Sequence, residues 1–445
     1  MTQKALHSSR SIATHILDRT AKGAYVAPLL NAELRRNALS KADAAFCTEL
    51  CYGSLRVLPI LDTAIKKHVK NLDSLDSFTK AALQIAIFQI YYLDRVPLHA
   101  VVNETVALVT RKRGKGLAGL VNAVLRKIGK EHEAHPTEHK NFVVPDWFDR
   151  SMTKALGKTR SAIFLNERPL PPALCLRILE SDAQTKWIQA IQEAQPKAEV
   201  KAGAVCPQAI LLRRAGDPRN LPGFDQAAFV VQEEGAQALA LLLGAKQGEC
   251  VLDACAGHGG KTAILAKQVG RSGKVTAVDK HPKKLMEAKS YLQKLQLEWV
   301  ETKAIDLSRG KGKLETGFDR ILIDAPCTAL GTIHRRPELL RRCNQNDATR
   351  LAELQLAISI QLIPLAKLGA TIVFGTCSPS YEEGAQVVAA IEKHFPGLER
   401  ELTSPDEVKL RADDDGLFRI GPWLSPDYDG PDLYQAVRWK VKSTP

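Results

Sequence analysis

The feature that most constrains this chain is a serial alternation of short apolar runs and helical stretches beginning near residue 226. "ECVLDAC", "KVTAVD", "RILIDA" and "ATIVFGTC" each set aliphatic residues over a strand's length, and helix-period sequence separates them. Parallel strands cannot be joined by a tight turn and need long crossovers, which helices supply. Residues 226–445 are therefore expected to form a doubly wound, mostly parallel α/β sheet that binds its ligand beyond the carboxyl ends of the strands.

The preceding residues read differently. Leu83, Ala86, Ile87, Ile90 and Tyr91 recur at helical spacing, as do Leu117, Leu120, Val121, Val124, Leu125 and Ile128. Pro59 and Pro97 fall between periodic runs and mark turns. No alternating pattern interrupts residues 1–135, so an all-α bundle is expected there. Residues 136–146 are polar and carry Pro136 and Pro145, which predicts a linker. "HEAHPTEH", His132 to His139, runs into that stretch and reads as solvated chain rather than a metal site. Residues 147–225 mix signals: "LCLRIL" and "AILLRR" as strands, and a helix from Asp182 capped by that aspartate, together a small α/β module for RNA.

Charge is unevenly spread. The net charge of the 445 residues is +13, and residues 1–140 hold 21 Lys and Arg against 12 Asp and Glu. A basic first third suits a polyanion such as RNA, although a merely soluble surface has the same composition. "RKRGKGLAGL" sets Arg111, Lys112 and Arg113 beside glycines before a helix, a candidate phosphate contact. "HRRPELLRR" offers Arg335, Arg336, Arg341 and Arg342 for RNA phosphates, with a solvated helix face as the alternative. Nine cysteines, an odd number with no C-x-x-C, suit reduced thiols. Cys47 and Cys51 lie on one helical face and are expected to be buried; no metal is expected. There is no run of ~18 apolar residues to span a membrane. The longest candidate, "AALQIAIFQIYYL", carries Gln84 and Gln89, and the first residues lack a signal-type apolar stretch. A cytoplasmic monomer acting on RNA, not on DNA or a membrane, is expected.

The first strand of the alternation runs into "VLDACAGHGGKT", where Gly257, Gly259 and Gly260 let backbone approach a ligand. A P-loop would need glycine at Cys255, and a dinucleotide fingerprint would need it at Thr262, so each fails by one residue. "KVTAVD" ends in Asp279, placed to accept hydrogen bonds from ribose hydroxyls, and Asp306 follows the next strand. A nucleoside cofactor without a pyrophosphate fits these parts: S-adenosylmethionine.

"DAPCTALG" and "VFGTCSPS" end successive strands, so Cys327 and Cys377 are expected to converge on one crevice with Asp324. A lone cysteine is most often a buried structural thiol. Two thiols and an acid at neighbouring strand ends are a candidate nucleophilic centre.

These segments, with "VTAVDKHPKKL" and "TCSPSYEEG", resemble the successive motifs of RNA 5-methylcytosine methyltransferases of the RsmB (Sun/Fmu) and NOL1/NOP2 type. "TELCYGSLR", "RVPLHAVVNETVAL" and "GLVNAVLRKI" resemble the NusB-like RNA-binding domain that RsmB-type enzymes carry, and "VVQEEGAQALALLL" the lead-in to their catalytic domain. The resemblance implies a NusB-like helical bundle, a small α/β middle module and a Rossmann-like methyltransferase domain. It implies that Cys377 attacks cytosine C6, that Asp324 interacts with the ring near N3, and that Cys327 assists loss of the C5 proton and release. It further implies that Cys255, Ala256, Gly257, His258, Gly259, Gly260 and Lys261 wrap the cofactor. Asp279 would hold its ribose, Asp306 its adenine, and Asp324 would lie near its methionine end. The implied substrate is 16S rRNA; the same chemistry on tRNA and a non-catalytic antitermination factor are the alternatives. The chain departs from the pattern at His258, at Phe374-Gly375, at Gly384 and in "PDLYQA", Pro431 to Ala436.

Overall fold

The computed structural model describes residues 8–71, 74–136, 142–168, 170–180 and 182–443. The chain divides into two units, Met1–Pro145 with Ile333–Arg342, and Asp146–Thr332 with Cys343–Pro445.

The first unit is helical: Ser9–Ala21, Val26–Asn37, Lys41–Arg56, Leu58–His68, Ser77–Tyr92, Leu98–Arg113 and Lys115–Ala134. Helix Ser77–Tyr92 is buried on most of its circumference, which explains its nearly unbroken apolar run. Its two glutamines are satisfied inside the core: Gln84 donates to Asp62 at 2.6 Å, and Gln89 accepts from Arg10 at 2.6 Å. Cys47 and Cys51 face the same core. No single helix among the described residues is long and apolar enough to cross a membrane.

Two local expectations change. Gly114, with φ 88°, is the only residue between helices Leu98–Arg113 and Lys115–Ala134, so "RKRGKG" is a sharp helix–helix break and not an extended loop. His132 belongs to the last turn of helix Lys115–Ala134 and packs on the Tyr91 ring at 4.9 Å. Residues 137–141 of the expected linker lie outside the described residues.

The second unit holds two sheets. The smaller contains β1 (Leu174–Ile178), β2 (Glu199–Ala202), β3 (Ala209–Arg213) and β4 (Phe229–Val231), in the order β2-β3-β1-β4 with every pair antiparallel. Helix Gln184–Ala194 buries Trp187 and Ile191 in the same core as the sheet residues Leu176, Ile178, Ile210 and Leu212. Asp182 does not cap this helix. It sits in a left-handed turn at φ 62°, and the N-cap position is Ala183 without a side-chain bond.

The larger sheet contains β5 (Cys250–Ala254), β6 (Lys274–Asp279), β7 (Glu301–Ala304), β8 (Phe318–Asp324), β9 (Ala366–Thr376), β10 (Leu398–Arg400), β11 (Phe418–Ile420) and β12 (Tyr434–Val441). Their order is β10-β12-β9-β8-β5-β6-β7, with β11 also on β12. Strands β5 to β9 pair in parallel. Strands β10, β11 and β12 make antiparallel pairs at one side. Alternate residues serve opposite faces: Val251, Leu322 and Val373 join one core, and Leu252, Ile321, Ile323, Ile372 and Phe374 the other. From β5 the chain first builds outward through β6 and β7, then returns to place β8 on the other side. The carboxyl ends of β5 and β8 thus flank the switch point where open α/β sheets bind ligands.

Candidate active site

Strands β8 and β9 are parallel neighbours with Asp324 opposite Gly375. Their exits therefore start level, and the two following loops run side by side. Ala325 N donates to Gly375 O at 3.0 Å and Gly331 N to Cys377 O at 2.9 Å. The sulfurs of Cys327 and Cys377 come to 3.4 Å, both half-buried. Hydrogen bonding to Cys377, with burial next, pushes the Cys327 thiol well above its ordinary pKa, so it keeps its proton.

Lys261, in the first turn of helix Gly260–Val269, just past the glycine turn after β5, reaches this centre. Its ammonium donates to Asp324 at 2.7 Å and stands 5.7 Å from the Tyr434 ring centroid. Burial, the largest single influence, would lower this lysine, but the charge and hydrogen bond of Asp324 together with Cys377 and Asp253 outweigh it and hold the ammonium above its usual range. The centre thus contains two sulfurs and one fixed cation–carboxylate pair.

The turn itself has three left-handed residues, Cys255 at φ 61°, Gly257 at 58° and Gly259 at 82°. Asp279 braces it from the end of β6: its carboxylate accepts from Gly257 N at 3.0 Å and from His281 N at 2.8 Å. A side chain at Gly257 would meet nothing nearer than the Cys255 carbonyl at 4.0 Å, so that side of the turn is open to a ligand. A carboxylate has about four acceptor sites, so Asp279 retains capacity for ribose hydroxyls. Asp306 follows β7 half-exposed and is held below the usual carboxylate range by bonds from Ser308. These acceptors and the open turn fit the adenosine part of S-adenosylmethionine. The His258 ring pairs with Glu287 at 2.9 Å.

Several residues of the centre were not singled out from the sequence. Asp253, fully buried in β5, accepts from the Thr262 hydroxyl at 2.5 Å, and burial raises its carboxyl to about 7. Glu383 lies beneath both cysteine loops. The departures from the family pattern also meet in space. A side chain at Gly384 would collide with Gln435 at 2.6 Å, and Gln435 donates to the Ser378 and Ser380 carbonyls at 2.9 Å each. Gly384 and the glutamine of "PDLYQA" are therefore one adjustment. Gly375 similarly makes room for Leu239, whose methyl would lie 2.5 Å from an added Cβ.

The cations expected to meet RNA are distributed otherwise. Arg111 and Lys112 are exposed, whereas Arg113 pairs with Asp76 at 2.8 Å and stacks over Phe78 at 5.1 Å. Arg335, Arg336, Arg341 and Arg342 lie in the segment that groups with the helical unit. Within it, Arg336 and Arg342 flank the Tyr25 ring at 5.3 and 4.1 Å, and Arg341 is exposed.

A parallel sheet with a glycine turn and serial acids at its strand ends defines an S-adenosylmethionine-dependent methyltransferase. Residues 240–422 match the family model described as 16S rRNA methyltransferase RsmB/F, and residues 7–130 match the NusB family. A probable ribosomal RNA small subunit methyltransferase B of Bacillus subtilis is 30% identical, covering 96% of this chain and 97% of its own. A ribosomal RNA small subunit methyltransferase B of Yersinia pestis is also 30% identical, over 93% of this chain and 97% of its own. Among solved structures, PH0851 aligns with a TM-score of 0.78 at 19% identity, over 97% of this chain and 98% of its own. NSun6 from Pyrococcus horikoshii, solved with SFG, aligns at 0.55 and 16% identity, over 67% of this chain and 98% of its own; both speak for the fold. The chain belongs to the RsmB/F family of 16S rRNA methyltransferases, with a NusB-like helical region preceding the Rossmann-like catalytic domain.

Proposed function

We propose that this protein methylates carbon 5 of a cytosine in 16S ribosomal RNA in the cytoplasm, through a covalent protein–RNA intermediate. The observation that carries the reading is the pair of thiols 3.4 Å apart beside the Lys261–Asp324 pair. One sulfur would suffice for attack; a second at contact distance supports separate attacking and releasing groups.

Cytosine C5 is a weak nucleophile. Addition of the Cys377 sulfur to C6 makes it enamine-like, and the electron pair of the C5–C6 double bond becomes available at C5. Asp324 partners the ring edge at N3, and Lys261 offsets negative charge that addition places on the ring. Bound S-adenosylmethionine supplies the electrophilic methyl group, held by the Cys255–Lys261 turn, Asp279 and Asp306. Cys327, which has given its own proton to solvent and stands as a thiolate, then takes the C5 proton, the C5–C6 double bond re-forms, and Cys377 leaves as thiolate. The contact that keeps Cys327 protonated disappears once Cys377 is bonded to C6, so Cys327 can lose its proton to solvent and be available as a base at the step that needs one. The exposed Arg111, Lys112 and Arg341, with Arg335, Arg336 and Arg342, supply positive charge for phosphates in this reading.

The test is labelled methyl transfer to 16S rRNA, assembled small subunits and tRNA, followed by bisulfite mapping. Label at a 16S cytosine C5 is expected. Label confined to tRNA would replace the substrate, and label at another atom would overturn the chemistry.

A further inference from the structure

Glu383 is a fully buried carboxylate that touches neither sulfur, yet it holds both loops that carry them. Thr328, the residue after Cys327, donates to it twice, from its backbone N at 2.7 Å and its hydroxyl at 2.5 Å. Ser378, the residue after Cys377, donates at 2.6 Å. Ser380 adds a bond at 3.2 Å and Gln355 one at 3.3 Å, and Gln355 also donates to the Pro326 carbonyl at 2.9 Å. The Thr328 and Ser378 hydroxyls are themselves 3.1 Å apart. Few side-chain oxygens in a fold are this densely served. Four of these five donors come from two loops about 50 positions apart in the chain, and Gln355 comes from helix Gln345–Leu362, which no local turn requirement explains. Glu383 is aimed inward by a π-helical turn, Glu382–Gln386, in which Gly384 leaves helical geometry at φ −123°, ψ −105°. Irregular turns of this kind persist where function over-determines them.

We propose that Glu383 is a positioning residue that sets the spacing and orientation of Cys327 and Cys377. This rests on the two-thiol reading given above. One carboxylate couples the two loops through the residue next to each sulfur. A shift in either loop is therefore resisted by bonds to the other. Burial pushes the Glu383 carboxyl up while the bonds from Ser378, Thr328 and Ser380 oppose that, and the low dielectric around these bonds adds to the stiffness.

The test uses the full chain in two assays. The first measures the rate of denaturation-resistant adduct formation with 16S rRNA in a Cys327→Ala background, with and without Glu383→Ala or Glu383→Gln. The second needs no RNA: diamide oxidises Cys327 and Cys377 to a disulfide as it is reduced to the hydrazine, and the cross-linked peptide is counted by mass spectrometry. Glu383→Ala is expected to slow both by about 10- to 100-fold, in keeping with the cost of an ångström-scale misplacement. Glu383→Gln, which fills the space with fewer acceptor sites, should recover only part of each rate. S-adenosylmethionine affinity should stay within about twofold, since Glu383 has no bond to the cofactor turn. Thr328→Val, which keeps the shape and deletes one donor, gives a milder version if Glu383→Ala does not fold. Wild-type rates in either assay, or full recovery of both by Glu383→Gln, overturn the proposal. If Cys327→Ala alone gives no adduct, the assignment of Cys377 fails, and the cross-linking rate still judges Glu383.

Discussion

Gly331 is where the two cysteine loops and the start of β12 cross, and replacing it with alanine tests how tightly they are pinned. A Cβ at this position would lie 2.2 Å from the Leu433 carbonyl oxygen and 2.8 Å from that of Cys377. Both obstacles are backbone, so no side chain can swing away. Restoring an ordinary C···O separation of about 3.3 Å requires a shift of about 1 Å. That shift strains the bonds from Gly331 N to Cys377 O (2.9 Å) and from Leu433 N to Gly331 O (3.1 Å). Overpacking costs about 1–3 kcal/mol and each weakened bond about 1 kcal/mol, for a sum of about 3–5 kcal/mol. Because the displaced carbonyl belongs to Cys377, activity should fall further than stability implies, by about 100-fold. Single-turnover methyl transfer read beside thermal unfolding separates the two effects. Gly119→Ala is the control: its Cβ meets nothing within 4 Å in an exposed helix position, so it should stabilise slightly and leave transfer unchanged. A Gly331→Ala protein that transfers methyl at the wild-type rate would refute the crossing as a determinant of thiol position, whatever its melting temperature.

Two further outcomes follow from the cofactor side. Asp279→Asn replaces an acceptor with a donor facing either Gly257 N or His281 N, so S-adenosylmethionine affinity by calorimetry should drop roughly 10- to 100-fold, and an unchanged Kd would contradict the bracing role. Asp253 has a folded pKa near 7 against 3.8 unfolded, so the folded state holds an extra proton between those values. Its contribution to stability is complete below pH ~4 and is lost as pH rises to about 7, by about 4 kcal/mol at most. Asp253→Asn should flatten the fall of stability across that window, and an identical slope in wild type and mutant would remove the group from the account.

The parts of this fold that were legible in the sequence are those where one segment carries its own signal. Strands β5, β6, β8 and β9 are covered on both faces, and their apolar runs announce them. Helix Ser77–Tyr92 kept its period despite Gln84 and Gln89, because each glutamine is paired within the core. Strand β12 went unread since Gln435, Arg438 and Lys440 break its apolar pattern, and Gln435 is turned to the Ser378 and Ser380 carbonyls. The cap expected at Asp182 failed because the chain there takes a left-handed turn that carries the residue out of the N-cap position. At the site, the two cysteines and Asp324 could be named from their strand ends, and Lys261 only from the family resemblance, as part of the cofactor turn. The Lys261–Asp324 bond and the five-donor shell of Glu383 could not, since each joins segments dozens of residues apart and only the sheet order brings them together. The altered Gly384 and "PDLYQA" looked like separate departures for the same reason.

The central claim is the division of labour between the two sulfurs, and the covalent adduct reads it directly. Cys327→Ala and Cys377→Ala proteins are incubated with 16S rRNA and S-adenosylmethionine, denatured, and resolved for RNA-linked protein. A stable adduct through Cys377 is expected when Cys327 is replaced, and neither adduct nor methyl transfer when Cys377 is replaced. An adduct through Cys327 in the Cys377→Ala protein, with methylation retained, would contradict it.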